Sequence, residues 1–376
     1  MSIDKRNNED DIEDRQNMVE KHHCNSSHNS NAIDSYDVDD ADEQKHFQKV
    51  VNAFLYYRSY ARNRIRRSFH YYGQLSDAHK QLLPKFESHL ALILKRIDKN
   101  YNVLKNILQG CDHLFENQNR SFDLPSSTAS NDELNMSDQD EVNPPAGVLS
   151  MDMDKIKTTL KQFVRDWTEE GKEERNSCYQ PIIDEIVARL PLQKEPNEFC
   201  NDVSYIQILV PGAGLGRLSW ELARLGYACQ GNEVSMYMLI ASHYVLNRCQ
   251  QVNATTIYPW VLQFCNNYSN EDQLRAARFP DVDTSSLPQN ARFSMSAGDF
   301  LHVYNEPGPL LYHFEDMVGE MSIEISYVDL RSVILKYGFQ ILTENYPIRT
   351  GYIKNARSML HYEYDCVFFV AYKPTN

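Results

Sequence analysis

The sequence predicts an α/β fold in which a parallel sheet follows a helical N-terminal region. Residues 208–223, "ILVPGAGLGRLSWELA", have the pattern of a strand, a glycine turn and a helix. Two more short strands, "YACQGNE" and "FSMSAGDF", follow with helical sequence between them. Alternating strands and helices are typical of parallel sheets, and residues 44–115 repeat apolar side chains at helical spacing.

The first 43 residues differ in composition from the rest of the chain. They are rich in Asp, Glu, Asn and Ser and contain few large apolar residues. Such a segment buries too little surface to offset the entropy of ordering, so we predict a disordered acidic tail over residues 1–43. The formal net charge of the whole chain, −14, opposes long-range attraction to nucleic acid.

A helical module is predicted over residues 44–117, with helices over 44–72 and 84–115. The first helix carries arginines interleaved with tyrosines, a pattern that could contact RNA or a phosphorylated partner. The acidic balance of the chain favours a simpler interpretation, a solvated face on which arginine stems cover apolar surface. The residues concerned are Tyr56, Tyr57, Arg58, Tyr60, Arg62, Arg64, Arg66 and Arg67.

A polar linker and a further helix come next. Residues 118–150 contain "SSTAS", "SDQDE" and "NPP", which are typical of a linker or loop. Residues 151–171 have helical periodicity and end at Gly171, a residue type common just beyond helix C-termini. This helix opens a second domain, predicted over residues 151–376.

The glycine turn that begins at Gly212 has the form G-x-G-x-G. A dinucleotide fingerprint has its third glycine one residue later, and the shorter form is associated with S-adenosylmethionine sites. The N–H groups of such a turn can meet the carboxylate of the methionine part. Glu233 ends the second strand about 20 residues later, where a carboxylate can bind both ribose hydroxyls. Taken alone, the turn could equally be a structural corner.

The third predicted strand ends at two more candidate residues. Asp299 can accept a hydrogen bond from an adenine amine, and Phe300 can pack on the base. Because the carboxyl ends of parallel strands share one edge of a sheet, the three strand ends would converge on one ligand. That convergence favours an S-adenosylmethionine site over a structural corner.

Signals for secretion, membranes and metals are sparse. The sequence has no charged and then apolar leader and no apolar run near 18 residues. Its eight cysteines form no C-x-x-C pair, which suits reduced thiols. The "HHC" at 22–24 lacks a matching second half, so no metal site is predicted. We expect a protein of the cytoplasm, the nucleus or both, with no membrane insertion.

Eight short motifs resemble those of one enzyme family. They are "QFVRDW", "ILVPGAGLGRL", "GYACQGNE", "LNRC", "YPW", "FPDVD", "AGDF" and "GPLLYHFE". Together they are similar to the carnosine N-methyltransferase family, over about residues 44–372. The resemblance implies a Rossmann-type class I methyltransferase sheet of seven strands with an added N-terminal helical region. It also implies methyl transfer from S-adenosylmethionine to an imidazole nitrogen of carnosine, giving anserine, and for some members to histidine in zinc-finger proteins.

The resemblance implies site residues as well. S-adenosylmethionine would contact Gln162, Arg165, Gly212, Glu233, Asp299 and Phe300, and the substrate would contact His313 and Tyr364. Positions 162 and 165 share a helix face, and Arg165 can pair with a ligand carboxylate. From the residues alone, His313 could instead be packed among apolar neighbours, and Tyr364 could fill a strand face.

One element of the family is missing from the sequence. In the family, an aspartate of the fourth strand would fix the imidazole tautomer and stabilise the developing imidazolium. Here only "LHVYNEP" separates Phe300 from Gly308. A crossover to a parallel strand needs a dozen or more residues, so we predict an internal deletion of central strands, of this carboxylate and of one expected S-adenosylmethionine contact. No catalytic residue is therefore assigned, and exposed strand edges are expected.

The C-terminal segment still predicts regular structure. "SYVDLRSVILKYG" predicts a helix with Ser326 and Asp329 in capping positions and Gly338 as its stop. "FQILTEN" and "DCVFFVAY" predict a closing antiparallel pair.

Three functions remain open from the sequence. The first is methylation of carnosine or a related histidine-containing peptide or protein, impaired by the deletion. The second is a non-catalytic variant that binds S-adenosylmethionine or a protein partner. The third is a protein-histidine or RNA methyltransferase, which only the arginine and tyrosine pattern supports. The sequence leaves the oligomeric state open, a homodimer included.

Overall fold

The computed structural model describes residues 36–111, 143–192, 206–249, 251–304 and 325–374. Its N-terminal region contains helices α1 (Tyr36–Gly73), α2 (Asp77–Leu82) and α3 (Phe86–Leu108). The prediction of a disordered tail is wrong for residues 36–43, which belong to α1, since aspartates early in a helix are stabilised by its dipole. Residues 1–35 of the predicted tail lie outside the described residues. α3 ends before the predicted residue 115, because Gly110 adopts a left-handed φ of 78° just beyond it.

Three helices follow: α4 (Ser150–Trp167), α5 (Lys172–Cys178) and α6 (Gln180–Arg189). The prediction that a helix runs to Gly171 is wrong, because α4 ends at Trp167 and Gly171 precedes α5. A Cβ atom at Gly171 would lie 2.2 Å from the carbonyl oxygens of Val164 and Arg165. Glycine is needed there so that the chain can turn back against the end of α4.

Strands and helices then alternate. The elements are β1 (Gln207–Pro211), α7 (Arg217–Leu225), β2 (Ala228–Glu233), α8 (Met236–Arg248), β3 (Thr255–Ile257), α9 (Asn270–Gln273), β4 (Ala277–Phe279) and β5 (Phe293–Ala297). The three predicted strands are present and pair in parallel in the order β1-β2-β5. The stretch before β5 contains the short antiparallel pair β3–β4, which the sequence did not predict.

The C-terminal part contains α10 (Phe300–Val303), α11 (Tyr327–Lys336), β6 (Gln340–Gly351) and β7 (Glu363–Tyr372). The predicted cap is confirmed, since the Ser326 hydroxyl accepts a hydrogen bond of 3.2 Å from the Asp329 N–H. Gly338 follows α11 with a φ of 83°. β6 and β7 form the predicted antiparallel pair, which is a separate sheet.

One hydrophobic core joins the N-terminal helices to the helices beside the sheet. The Phe54 ring of α1 stacks on the Tyr237 ring of α8 at 5.8 Å. The Asn100 side chain of α3 binds both the N–H and the carbonyl of Tyr258, at 2.7 and 2.9 Å. The core is thus continuous between the predicted helical module at 44–117 and the predicted domain at 151–376. The division into these domains remains a prediction.

The parallel sheet has an exposed outer strand. Within the described residues β1 is paired only with β2, and Leu209 of β1 is 37% exposed. The described chain is therefore a mixed α/β protein with a helical N-terminal region and small sheets.

Candidate functional site

The glycine turn between β1 and α7 has a left-handed backbone. Gly212, Gly214 and Gly216 have φ values of 65°, 57° and 79°, a conformation that residues with a Cβ atom rarely adopt. A Cβ atom at Gly216 would also lie 3.1 Å from the Leu246 side chain. Backbone conformation therefore favours glycine at all three positions, and close packing against Leu246 adds to this at Gly216.

Glu233 lies directly against this turn. Its carboxylate accepts hydrogen bonds from the N–H groups of Gly214, Val234 and Ser235, at 2.7, 2.9 and 2.8 Å. The residue is only 5% exposed. A carboxylate has about four acceptor positions, and each oxygen can be shared, so ribose hydroxyls could bind to the same group.

The end of β5 joins the ends of β1 and β2. The Gly298 N–H donates to the Glu233 carbonyl at 3.0 Å, and the Asn232 amide donates to the Gly298 carbonyl at 3.1 Å. Asp299 and Phe300 follow directly and are half-buried. The three strand ends thus meet at one edge of the sheet, as the sequence predicts.

Gln162 of α4 lies on the other side of the glycine turn. It is buried, and a Cβ atom at Gly214 would be 3.5 Å from its Nε2 atom. Its amide donates to the Asp166 carboxylate at 3.0 Å. Gln162, the first predicted residue of the "QFVRDW" motif, is therefore in contact range of the glycine turn.

Arg165 is held by charged and aromatic neighbours. Its Nε atom lies 3.3 Å from the Glu174 carboxylate, and its guanidinium lies over the rings of Tyr179 and Tyr352, at 5.2 and 5.5 Å. Burial by itself lowers the pKa of Arg165, but Tyr179, Asp166 and Glu174 together raise it above the usual value. Arg165 is thus a stable cation, suited to an anionic group.

Sequence reasoning missed Asp166 and Tyr179. Asp166 is fully buried and accepts a hydrogen bond of 2.9 Å from the Tyr179 hydroxyl. Burial, followed by the Asp166 charge, raises the pKa of Tyr179 well above its usual value, so that the hydroxyl remains a donor. The signal for Asp166 was its position four residues after Gln162, on the same helix face.

A cavity of about 390 Å³ lies beside Arg165, between the end of α4, α5, α6 and the β6–β7 hairpin. Tyr364 lies on its wall, with its ring edge-on to that of Tyr352 at 6.2 Å. The structure thus brings together the predicted residues Arg165 and Tyr364. His313 lies outside the described residues. Other side chains on the wall are those of Ser177, Cys178, Thr350, Cys366 and Phe368.

The arginine and tyrosine pattern of α1 is largely occupied by contacts within the protein. Arg58 and Arg62 form ion pairs with Asp98, at 2.7 and 2.8 Å, and Arg64 lies over the Phe264 ring at 4.4 Å. This face is therefore partly buried rather than fully solvated, and contacts within the protein account for these three arginines.

The described residues contain neither a metal-ligating cluster nor a membrane-spanning helix. Among them, no three His, Cys, Asp or Glu side chains are grouped so as to hold a metal ion. No described helix combines the length and apolar character needed to cross a membrane.

Several proteins that are similar to this chain are named carnosine N-methyltransferase. The family model of carnosine N-methyltransferase matches residues 143–307 and 306–375. The carnosine N-methyltransferase of Mus musculus is 42% identical, covering 88% of this chain and 87% of that protein. The Drosophila melanogaster protein named carnosine N-methyltransferase unmet is 39% identical over 90% of this chain and 81% of its own length. A Schizosaccharomyces pombe carnosine N-methyltransferase is 31% identical over 88% of this chain and 96% of its own length.

The match to the family model is broken at one place. Its two parts meet at residues 306 and 307, inside the short "LHVYNEP" segment that separates Phe300 from Gly308. The alignment to the Mus musculus protein extends over 375 positions but includes only 88% of this 376-residue chain. That relative therefore has positions that this chain lacks.

Proposed function

The chain belongs to the carnosine N-methyltransferase family, and we propose on this basis that it transfers a methyl group from S-adenosylmethionine to an imidazole nitrogen of carnosine. The observation that carries the proposal is the family match, which extends over most of the chain. The convergence of three strand ends next to Glu233 gives it independent support.

The cofactor site would use residues on both sides of the glycine turn. The turn offers backbone N–H groups, Glu233 offers a carboxylate for ribose, and Asp299 and Phe300 would hold adenine. Gln162 and Arg165 would close the site from α4, with Arg165 facing the methionine carboxylate. These residue types suit a ligand that has an amino acid end and a nucleoside end, so the site fits the cofactor.

The substrate would bind in the cavity lined by Arg165 and Tyr364. S-adenosylmethionine, when bound, supplies a methyl group on a positively charged sulfur. The protein then has to exclude water and hold a neutral imidazole with its free nitrogen in line with that methyl group. Tyr364 and its neighbour Tyr352 offer aromatic surface and hydroxyl groups for an imidazole.

The sheet is proposed to be a shortened Rossmann-type sheet. We infer that β1, β2 and β5 are its first three strands and that the central strands of the family are absent between Phe300 and Gly308. The broken family match and the exposed Leu209 on β1 support this. With the fourth-strand carboxylate lost, the imidazolium that forms during transfer would lack a charged acceptor, so turnover should be slow.

Transfer of labelled methyl groups tests the proposal. Purified chain is incubated with methyl-labelled S-adenosylmethionine in three separate reactions, which contain carnosine, a histidine-containing protein or an RNA as the acceptor. We expect slow labelling of carnosine. Binding of S-adenosylmethionine without any labelling would indicate a non-catalytic variant, and labelling of the protein or RNA alone would assign a different substrate class.

A further inference from the structure

Glu174 connects the proposed cofactor helix to the loop that follows β6. Its carboxylate is 3.3 Å from the Nε atom of Arg165. The same carboxylate accepts hydrogen bonds of 2.8 Å from the N–H groups of Ile353 and Lys354. Glu174 is 6% exposed, so these bonds are shielded from water.

The loop that Glu174 holds carries part of the cavity wall. Ile353 adopts a φ of 50°, a left-handed conformation that is unfavourable for a β-branched residue. The adjacent Tyr352 places its ring near both Arg165 and Tyr364. The two hydrogen bonds that Glu174 accepts from the Ile353 and Lys354 N–H groups help to keep the backbone in this conformation, and hence Tyr352 against the cavity.

We propose that Glu174 is a positioning residue that sets the loop at 351–358, and thereby the substrate wall, relative to Arg165. The inference rests on the function proposed above, because it takes the cavity as the carnosine site. Removal of Glu174 should weaken carnosine binding, because the loop loses two hydrogen bonds that fix the cavity wall. Glu174 also competes with the methionine carboxylate for Arg165, so its removal should leave S-adenosylmethionine binding unchanged or tighter.

The test compares three variants by calorimetric titration. Glu174→Gln removes the charge beside Arg165 and presents an amide N–H₂ where a backbone N–H needs an acceptor. Glu174→Asp keeps the charge but is too short to reach both N–H groups. Glu173→Gln, on the same helix, changes an exposed glutamate and serves as the control. S-adenosylmethionine is titrated alone, and carnosine is titrated in the presence of S-adenosylhomocysteine so that no turnover occurs.

We expect Glu174→Gln to weaken carnosine binding about tenfold or more, because a buried charged hydrogen-bond partner is lost. Its affinity for S-adenosylmethionine should equal or exceed that of the wild type. Glu174→Asp should lose carnosine affinity without gaining cofactor affinity. Amide hydrogen exchange should become faster at 351–358 in both variants and stay unchanged in Glu173→Gln.

Different outcomes separate the two proposals. Equal losses of both affinities in Glu174→Gln, or unchanged exchange at 351–358, would overturn the positioning role while leaving the function intact. A wild-type chain that binds neither ligand would overturn the proposed function, and the inference with it.

Discussion

The Glu233 carboxylate accepts a 2.7 Å hydrogen bond from the backbone N–H of Gly214. This bond joins the end of β2 to the glycine turn after β1, so the acid and the turn form one structural unit. A ligand that reaches one of them must also meet the other.

Replacing Glu233 by glutamine should weaken S-adenosylmethionine binding by about 1.5–3 kcal/mol, the usual contribution of a charged hydrogen-bond acceptor. The substitution retains the size of the side chain but removes the charge that three backbone N–H groups and the ribose would share. Calorimetric titration measures the effect, with Glu271→Gln, an exposed glutamate, as control. Equal affinities would mean that Glu233 has a structural role only.

Replacing Tyr179 by phenylalanine should destabilise the fold by about 1.5–3 kcal/mol, because the buried Asp166 carboxylate loses a donor. Stacking of the ring with Arg165 would be retained. Chemical denaturation gives the free energy of unfolding. Tyr268→Phe, at a ring that is 86% exposed, should have no effect.

Alkaline pH should destabilise the protein in part through Cys229. Burial raises the pKa of its thiol from 9.0 to about 12. The fold favours the neutral thiol, so this contribution to stability is complete below pH 9.0 and is lost as the pH rises through about 12. The free energy of unfolding should fall less steeply over that range in Cys229→Ala than in the wild type. Cys265→Ala, at an exposed cysteine, should retain the wild-type slope.

Arg62 should stabilise the helical region without affecting catalysis. Its ion pair with Asp98 is partly exposed, so Arg62→Gln should lower stability by about 0.5–1 kcal/mol. Carnosine methylation and RNA affinity should stay at wild-type levels, and Arg67→Gln, at an exposed position, should change none of the three. A drop in RNA affinity for either variant would instead favour a nucleic-acid role for this face.

Restoring a family segment between Tyr304 and Gly308 should raise the rate of carnosine methylation about a hundredfold or more, because a positioned carboxylate returns. S-adenosylmethionine affinity should change much less, since the six residues proposed to bind it lie outside the restored segment. Single-turnover rates and titrations of both versions make the comparison. If the rates were equal, another acid, such as Glu306 or Glu315, would already supply the charge.

The sequence by itself determined the local features of the site. Left-handed turns need glycine, so Gly212, Gly214 and Gly216 could be located from spacing alone. The predicted end of the second strand at Glu233 coincides with the end of β2, whereas β5 ends at Ala297, two residues before the predicted Asp299. Both ends lie at the same edge because the strands are parallel. Helix boundaries were less accurate, since caps and close backbone contacts, as at Gly171, move them by several residues.

Only the tertiary structure decided which distant groups meet. Asp281 accepts hydrogen bonds of 2.6 Å from both Arg175 and Arg217, and Arg165 lies between Glu174, Tyr179 and Tyr352. No spacing in the chain encodes these contacts, because they join segments whose distance depends on how the intervening loops close. Local backbone preferences act over a few residues and can be inferred from sequence, whereas the partner of a buried charge is chosen by the packing of the whole fold.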